Sequence, residues 1–454
     1  MLRRTRTANL PSLAAALLLF LSQTPHGQTV QTRRLPGDEP PAPPRPGLPR
    51  VRLRAEPEGE VFALAFSPDG RVLAVSTINR VVKLWSTETG ELVRSIAVKG
   101  GPVSKLLWSP DGRVLATEDA ARAFQFWDAE TGEPKARTGA HRRPITQTGW
   151  AAGHAALLTL DDDRRLRAWE TSEGRLLYER RLKGLSSLTF APGGDAVLAF
   201  REYERPELLD PLTGSKKSEV GTQHVWPFFG AWLARFSPDG RRLLFRDGRK
   251  RLKLRDVAAG AEEPLQFGRD DHQDYFAAEF SRDGRRLALV REPFRWGLST
   301  TCEVRLYDVE ASALLPAALK AKGFGNIFKV VWSEDGGMVV TAGEADPALF
   351  EAGRLTAYAW RVADGAPYAA FPLEENRRGF ATRAWENADT VELLAGGRVL
   401  LAYNDDSVKF WDARTGQRLY RREADRVAVS PDRRLVAVAS DGGTRAQIWE
   451  AVAP

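Results

Sequence analysis

A turn sequence, Ser-Pro-Asp-Gly, recurs along the chain between short apolar runs, and several of the units that contain it or a looser form close with a Trp, as at Trp85 and Trp127. In the clearest unit, residues 61–90, three runs carry apolar residues at every second position. Such alternation is typical of half-buried strands, and the Pro-Asp-Gly and Thr-Gly pairs are typical of tight turns. Each unit is therefore predicted to form a small antiparallel sheet.

The units repeat at a regular interval, because Trp85, Trp127 and Trp169 stand 42 residues apart. The Ser-Pro-Asp-Gly turn and its looser forms begin at Ser67, Ser109, Ala191, Ser237, Ser281, Ser333 and Ser430. Counting these turns together with the Trp-containing runs gives nine units. A period of about 40–45 residues with four strands is typical of β-propeller blades.

With these motifs the chain resembles the WD40-repeat family over residues 51–454. The resemblance implies an all-β fold, a single β-propeller of four-stranded blades, with nine blades counted and seven or eight as alternatives. The last unit, residues 426–452, supplies three strands, and residues 51–54 alternate like a fourth. We therefore expect this N-terminal strand to pair with the last blade and close the ring.

The N-terminal region is predicted to lie outside the propeller. Arg3, Arg4 and Arg6 precede the apolar run 10–21, so residues 1–27 have the pattern of a secretory signal peptide. Residues 28–50 are rich in Pro and Arg and are expected to form an extended linker. The protein is thus predicted to be exported, either periplasmic or secreted, and an uncleaved N-terminal anchor is the alternative.

The charge and cysteine content exclude some functions. The formal net charge of +7 includes three arginines of residues 1–27, so removing that region leaves a mild excess that does not indicate nucleic-acid binding. Cys302 is the single cysteine, which leaves neither a disulfide framework nor a cysteine-based metal site. No cofactor is expected, and the protein is predicted to be a monomer.

The WD40 resemblance also implies a hydrogen-bonded tetrad in the third unit. Its expected members are His141, Thr159, Trp169 and an acid from Asp161 to Asp163, with Asp162 as the central candidate. A Trp ring nitrogen only donates hydrogen bonds, and the set contains no nucleophile, so a structural role is predicted rather than a catalytic one.

Calcium binding and hydrolysis are the two other kinds of chemistry that the sequence could support. The acidic runs 161–163 and 404–406 fall between second and third strands, where turn chemistry is the expected role and calcium binding the alternative. No hydrolase, metalloprotease or phosphate-loop motif occurs, and the five histidines are scattered. A lactonase-like propeller hydrolase with its site in the central channel remains the alternative function.

Loop length suggests where a partner binds. The turns joining strands one to two and three to four are short, whereas the other connections grow longer in units five to eight. Loops on rigid scaffolds commonly carry binding residues, and Trp, Tyr and Arg are common in binding hot spots. The predicted protein- or peptide-binding residues are Trp226, Phe228, Phe229, His272, Tyr275, Phe294, Arg295, Trp296, Phe350, Arg377, Arg378, Phe380 and Trp385. The alternative is that these aromatics pack inside their own loops.

Overall fold

The computed structural model describes most of the chain from Arg50 onward. The described residues are 50–55, 57–151, 155–201, 204–221, 234–247, 251–267, 275–291, 301–322, 324–345, 355–373, 391–404, 407–440 and 442–452. The chain divides into two units, Met1–Pro44 and Arg45–Pro454, and the described residues all belong to the second.

The described residues form nine four-stranded antiparallel sheets. The strand before the first unit and the strands of blades 1 to 3 are β1 (Arg50–Ala55), β2 (Val61–Phe66), β3 (Val72–Thr77), β4 (Val81–Ser86), β5 (Leu92–Ala97), β6 (Lys105–Trp108), β7 (Val114–Glu118), β8 (Phe124–Asp128), β9 (Pro134–Arg137), β10 (Ile145–Trp150), β11 (Ala156–Asp161), β12 (Arg165–Glu170) and β13 (Leu176–Arg181). Blades 4 to 6 consist of β14 (Leu185–Phe190), β15 (Val197–Arg201), β16 (Glu207–Leu209), β17 (Lys216–Glu219), β18 (Ala234–Phe236), β19 (Arg242–Arg246), β20 (Leu252–Asp256), β21 (Glu262–Pro264), β22 (Tyr275–Phe280), β23 (Arg286–Arg291), β24 (Thr301–Asp308) and β25 (Ala313–Lys322). Blades 7 to 9 consist of β26 (Phe324–Trp332), β27 (Met338–Ala345), β28 (Leu355–Arg361), β29 (Pro367–Pro372), β30 (Val391–Leu394), β31 (Val399–Asn404), β32 (Ser407–Asp412), β33 (Arg418–Glu423), β34 (Arg426–Val429), β35 (Leu435–Ser440) and β36 (Arg445–Glu450), with a 3-10 turn at Ala395–Gly397.

The apolar alternation of each strand serves two neighbouring blades. On β3, Leu73 and Val75 pack with residues of blade 9, whereas Ala74 between them packs with residues of blade 2. Successive side chains of a strand point to opposite faces of its sheet, so both faces of a blade are covered. Fully burying a Leu or Val side chain contributes about 1.5–3 kcal/mol. The core of the protein therefore lies between blades rather than within one.

The interfaces between blades form a closed series. Nine buried apolar clusters occur in the described residues, one between each pair of successive blades and one between blade 9 and blade 1. The prediction of a nine-bladed β-propeller is thus confirmed.

The ring closes through its two ends, as predicted from the sequence. In the ninth sheet the strand order is β1-β36-β35-β34, and β1 runs antiparallel to β36. Val51 lies opposite Trp449, and Arg52 forms an ion pair with Glu450 at 3.3 Å. The first strand of the ring thus completes the last blade.

The Ser-x-Asp-Gly turns share one hydrogen-bonding pattern. In the first copy, Ser67 Oγ donates to Asp69 Oδ1 at 2.6 Å and accepts a hydrogen bond from the Val72 amide at 2.9 Å. Gly70 follows with a φ of 72°, a conformation that glycine adopts without strain. In a later copy, the hydrogen bond from Ser237 holds the pKa of Asp239 below its usual value. The recurring sequence is therefore explained by the turn it builds.

The strand order also separates the connections onto two faces. Because each sheet is antiparallel and its strands follow in chain order, the Ser-x-Asp-Gly and Thr-Gly turns lie on one face, here called the corner face. Connections from second to third strands, and from one blade to the next, begin and end on the other, here called the loop face. Within the part of the chain that is described, no helix is long and apolar enough to cross a bilayer.

Candidate functional site

Most of the predicted binding residues fall outside the described part of the chain. Only Tyr275 is described, and the others are Trp226, Phe228, Phe229, His272, Phe294, Arg295, Trp296, Phe350, Arg377, Arg378, Phe380 and Trp385. The longer connections that contain them begin and end on the loop face, at the ends of strands of blades 4 to 8. Their joint role in binding stays a prediction.

Tyr275 does not lie on the surface. It is the first residue of β22, its side chain is fully buried, and it packs in the core between blades 5 and 6. A bulge separates Tyr275 from Ala277, and the same irregularity follows Val61 and Ile145, which are also buried in the core between blades. Tyr275 is therefore a core residue, and its placement on the binding surface was wrong.

The hydrogen-bonded network predicted for the third blade is present around His141. Trp169 Nε1 donates to Thr159 Oγ1 at 2.9 Å. His141 Nε2 lies 2.9 Å from Thr159 Oγ1, and its Nδ1 lies 3.1 Å from Asp161 Oδ2. These contacts join the connection before β10 to β11 and β12, so the network holds three parts of the blade together.

The acid of this network is Asp161 rather than Asp162. Asp161 is the last residue of β11, lies opposite Ile145 and is 2% exposed, and its Oδ1 also accepts the Arg165 amide at 3.0 Å. Asp162 is exposed because the chain turns directly after Asp161. Three consecutive aspartates left the choice open in the sequence, and the central one was the wrong candidate.

Two further charged residues extend the network. Arg167 Nη1 lies 2.7 Å from His141 Nδ1 and 3.7 Å from Asp161 Oδ2, and Arg167 Nε donates to Glu179 Oε2 at 2.7 Å. A guanidinium only donates hydrogen bonds, so a protonated His141 would set two donors against each other. Burial and the Arg167 charge accordingly lower the pKa of His141, despite the opposing effect of Asp161. The imidazole is neutral in the fold.

This arrangement resembles a catalytic relay but has no access to a substrate. The side chains of His141 and Asp161 are each 1% exposed, and Thr159 is fully buried. A general base must come within hydrogen-bonding reach of the substrate, which this burial prevents. The network therefore satisfies buried polar groups and stabilises the blade.

The neutral state of His141 predicts a pH dependence of stability. The unfolded chain binds the proton more readily than the fold, so stability is complete above the ordinary pKa of 6.5 and falls as the pH drops from there toward the lowered folded pKa. We expect the melting temperature of the parent to fall more steeply than that of His141→Gln between about pH 7.5 and 5.5. Calorimetry across this range measures the difference, and equal slopes would show that His141 does not carry it.

Part of the network recurs without the histidine in two other blades. Trp127 Nε1 donates to Thr117 Oγ1, and Trp360 Nε1 donates to Thr341 Oγ1, each at 2.9 Å. In each case the Thr stands two residues after the residue that lies opposite the Trp across the sheet. These two Trp–Thr pairs were not predicted, although their spacing is visible in the sequence.

Blade 1 has the Trp of this pair without the Thr. Val75 stands at the equivalent position, two residues after Leu73, which lies opposite Trp85. The buried Trp85 Nε1 atom has no hydrogen-bond partner among the residues that the structure describes. A buried unpaired donor costs about 1–3 kcal/mol.

We expect Val75→Thr to raise the free energy of unfolding by about 1 kcal/mol, because the added hydroxyl can accept from Trp85. Equilibrium urea unfolding measures the change. The matched control is Val438→Thr in blade 9, where Trp449 Nε1 already donates to Gln447 Oε1 at 3.0 Å. An equal or larger gain in the control would contradict the explanation.

The channel side of the ring carries an acid with a raised pKa. The first strands of the blades approach one another, and β22 of this inner set bears Glu279. Partial desolvation raises the pKa of Glu279, whose side chain is 47% exposed, while Arg235, 3.8 Å away, and Lys329 oppose the rise. Over the described ranges, no three His, Cys, Asp or Glu side chains come together as a metal site would require. Glu279 alone does not define a catalytic site.

Comparisons with known proteins agree with this architecture. The family model of the anaphase-promoting complex subunit 4 WD40 domain matches residues 50–104. A crystal structure of a eukaryotic initiation factor is 16% identical with a TM-score of 0.54, covering 80% of this chain and 88% of that one. The C-terminal WD40 domain of Sif2 is 14% identical with a TM-score of 0.50, covering 90% and 99% respectively. Comparison with curated proteins gave no significant match.

Proposed function

From the WD40-repeat β-propeller fold of this chain, we propose that it serves as a non-catalytic scaffold that binds a protein or peptide partner. WD40 propellers are generally interaction platforms, and the fold by itself does not name the partner. We further propose that the protein is exported, on the basis of the basic and then apolar pattern of residues 1–27.

One observation carries the proposal, namely the uneven length of the connections on the loop face. In blades 1 to 3, second and third strands are joined by three- to five-residue turns such as 78–80. In blades 6 and 7 the corresponding connections are residues 292–300 and 346–354, and blade 7 is joined to blade 8 by residues 373–390. Long connections on a rigid scaffold commonly carry binding residues.

A capture experiment tests the proposal. The tagged full-length chain is cross-linked to its partners in a periplasmic extract, and the cross-linked sites are located by mass spectrometry. We expect partner cross-links on the loop face, and we expect Phe294→Ala with Trp296→Ala to reduce capture. The control changes Arg241 and Arg285 to Ala on the corner face, where both side chains are exposed. Capture that depends on the corner-face pair and not on the loop-face pair would contradict the proposal.

The exported location is tested separately. N-terminal sequencing of the mature protein from the producing cells is expected to find a chain that lacks residues 1–27. A mature chain beginning at Met1 and recovered from the cytosol would contradict export.

A further inference from the structure

The turns between second and third strands of blades 1 to 3 each contain an arginine with an unusual backbone conformation, at the last position in blades 1 and 3 and at the next-to-last position in blade 2. Arg80, Arg122 and Arg164 have φ values of 61°, 61° and 60°. This left-handed region suits Gly and Asn and disfavours residues with a large side chain. The equivalent turn of blade 9 uses Gly442 and Gly443, with φ values of 67° and 76°.

The turn itself needs the backbone of these residues and not the guanidinium. The Arg80 carbonyl accepts the Val98 amide at 2.8 Å, and the Arg164 carbonyl accepts the Leu182 amide at 2.9 Å. A glycine or asparagine would offer the same carbonyl with less backbone strain. The residues before each arginine differ among the three turns: they are Ile78-Asn79, Ala120-Ala121 and Asp162-Asp163. Arginine thus occurs in all three turns, although the backbone conformation favours Gly or Asn and the two preceding residues differ from turn to turn.

The guanidinium groups of Arg80, Arg122 and Arg164, here called the arginine row, are not neutralised by acids of the described residues. Arg80 and Arg164 are exposed and form no ion pair with any acid of the described residues, and Arg122 Nη1 donates to the Arg142 carbonyl at 2.8 Å. Two nearby acids are already paired, since Glu58 binds Lys83 at 2.9 Å and Asp163 binds Arg143 at 3.5 Å. Lys99, Arg142 and Lys183, all exposed, add positive charge in the adjoining connections. Glu60 and Asp162 are exposed acids beside these turns, but the six cations outnumber them, so among the described residues this part of the loop face carries an excess of positive charge.

We infer that Arg80, Arg122 and Arg164 bind an acidic, extended peptide segment of a partner protein, laid across blades 1 to 3. The inference rests on the proposed scaffold function and deepens it by naming the class of partner and a place on the loop face. Packed sheets lie about 10 Å apart, and an extended chain advances about 3.3 Å per residue, so an acid at roughly every third residue would meet successive arginines. Arginine pairs well with carboxylates because its planar fork can donate two hydrogen bonds at once.

A protein segment fits this row better than a nucleic acid does. Proteins that bind single-stranded nucleic acid combine cations with exposed aromatic side chains on which bases stack. The three turns contain no aromatic residue. Beside Arg80 lies Ile78, whose side chain is 45% exposed and can contact an apolar side chain of a peptide.

The test uses the full-length chain and a fluorescein-labelled peptide of ten glutamates, with binding followed by fluorescence anisotropy. We expect saturable binding that weakens as salt is raised, as ion pairing at an exposed surface requires. Replacing Arg80, Arg122 and Arg164 together by Asn should weaken binding about tenfold or more, and replacing all three by Lys should preserve most of it. The Asn variant should remain folded, because Asn tolerates the left-handed conformation.

The matched control places the same charge change on the other face. Arg71, Arg113 and Arg241 are exposed and follow Ser-x-Asp-Gly turns, so replacing them by Asn removes three charges from the corner face. We expect this variant to bind the glutamate peptide as the parent does. Equal weakening in both triple variants, or no binding to the parent at low salt, would overturn the inference.

Two further measurements separate the alternatives. Tighter binding of a ten-nucleotide single-stranded DNA, or of vesicles rich in phosphatidylserine, with the same dependence on the three arginines would overturn the choice of a peptide partner. Partner capture that depends on Phe294 and Trp296 while the glutamate peptide fails to bind would overturn this inference and leave the scaffold proposal standing. Peptide binding through the arginine row without any partner capture would support the peptide site and contradict the proposal that the loop-face connections capture a partner.

Discussion

Replacing Asp161 by alanine is expected to lower the free energy of unfolding by about 3 kcal/mol, because the change breaks a buried network and leaves its donors unpaired. The carboxylate is 2% exposed and lies within hydrogen-bonding distance of His141 and the Arg165 amide. Its loss would also leave Arg167 without one of its two acidic neighbours. Equilibrium urea unfolding followed by tryptophan fluorescence measures the loss.

The neighbouring aspartate is the control for this prediction. Asp162 is exposed, so Asp162→Ala should change the free energy of unfolding by no more than about 0.5 kcal/mol. If Asp161→Ala does not fold well enough to measure, Asp161→Asn keeps the size of the side chain and should show a smaller loss in the same direction. Equal effects at positions 161 and 162 would contradict the assignment of the network.

Removing the closing strand is expected to have the largest effect on the whole fold. A chain that begins at residue 57 lacks β1, so β36 loses its outer neighbour and becomes an exposed edge in the ninth sheet. About five hydrogen bonds are lost with β1, and each contributes about 1 kcal/mol net. The free energy of unfolding should therefore fall by about 5 kcal/mol. We expect a melting temperature about 6 °C lower and a tendency to associate through the open edge.

The control for closure is a chain that begins at residue 50, which keeps β1 and removes everything before it. Its melting temperature should match that of the full chain. A synthetic peptide of residues 48–56, added to the chain that begins at residue 57, should raise the melting temperature in proportion to the logarithm of its concentration. Identical melting of the two shortened chains would show that β1 does not hold the ring closed.

The sequence was sufficient for the architecture because the repeated residues each have a local cause. Ser67, Asp69 and Gly70 build one turn by their own hydrogen bonds and backbone preference, and the same turn is rebuilt in other blades. Alternating apolar residues indicated strands with two covered faces. The pairing of residues near Val51 with the last unit followed from a missing fourth strand, and the structure confirms it.

The sequence was insufficient where a position depends on neighbours distant in the chain. Tyr275 was placed on the surface because nothing in its local sequence reveals the bulge that turns it into the core. Asp161 and Asp162 are chemically identical, and only the end of β11 distinguishes them. Arg167 entered the His141 network because β12 places it beside the imidazole, a contact between residues 26 positions apart.

The pairing of β1 with β36 has a consequence for how the protein is made. During translation β1 leaves the ribosome before any other described strand and β36 after all of them, so the ninth sheet can form only after every other described strand has been synthesised. A nascent chain that stops before Arg445 would hold eight blades and two open flanks, which are surfaces that chaperones and proteases recognise. Closure of the ring therefore requires that the strands of all nine blades have been synthesised.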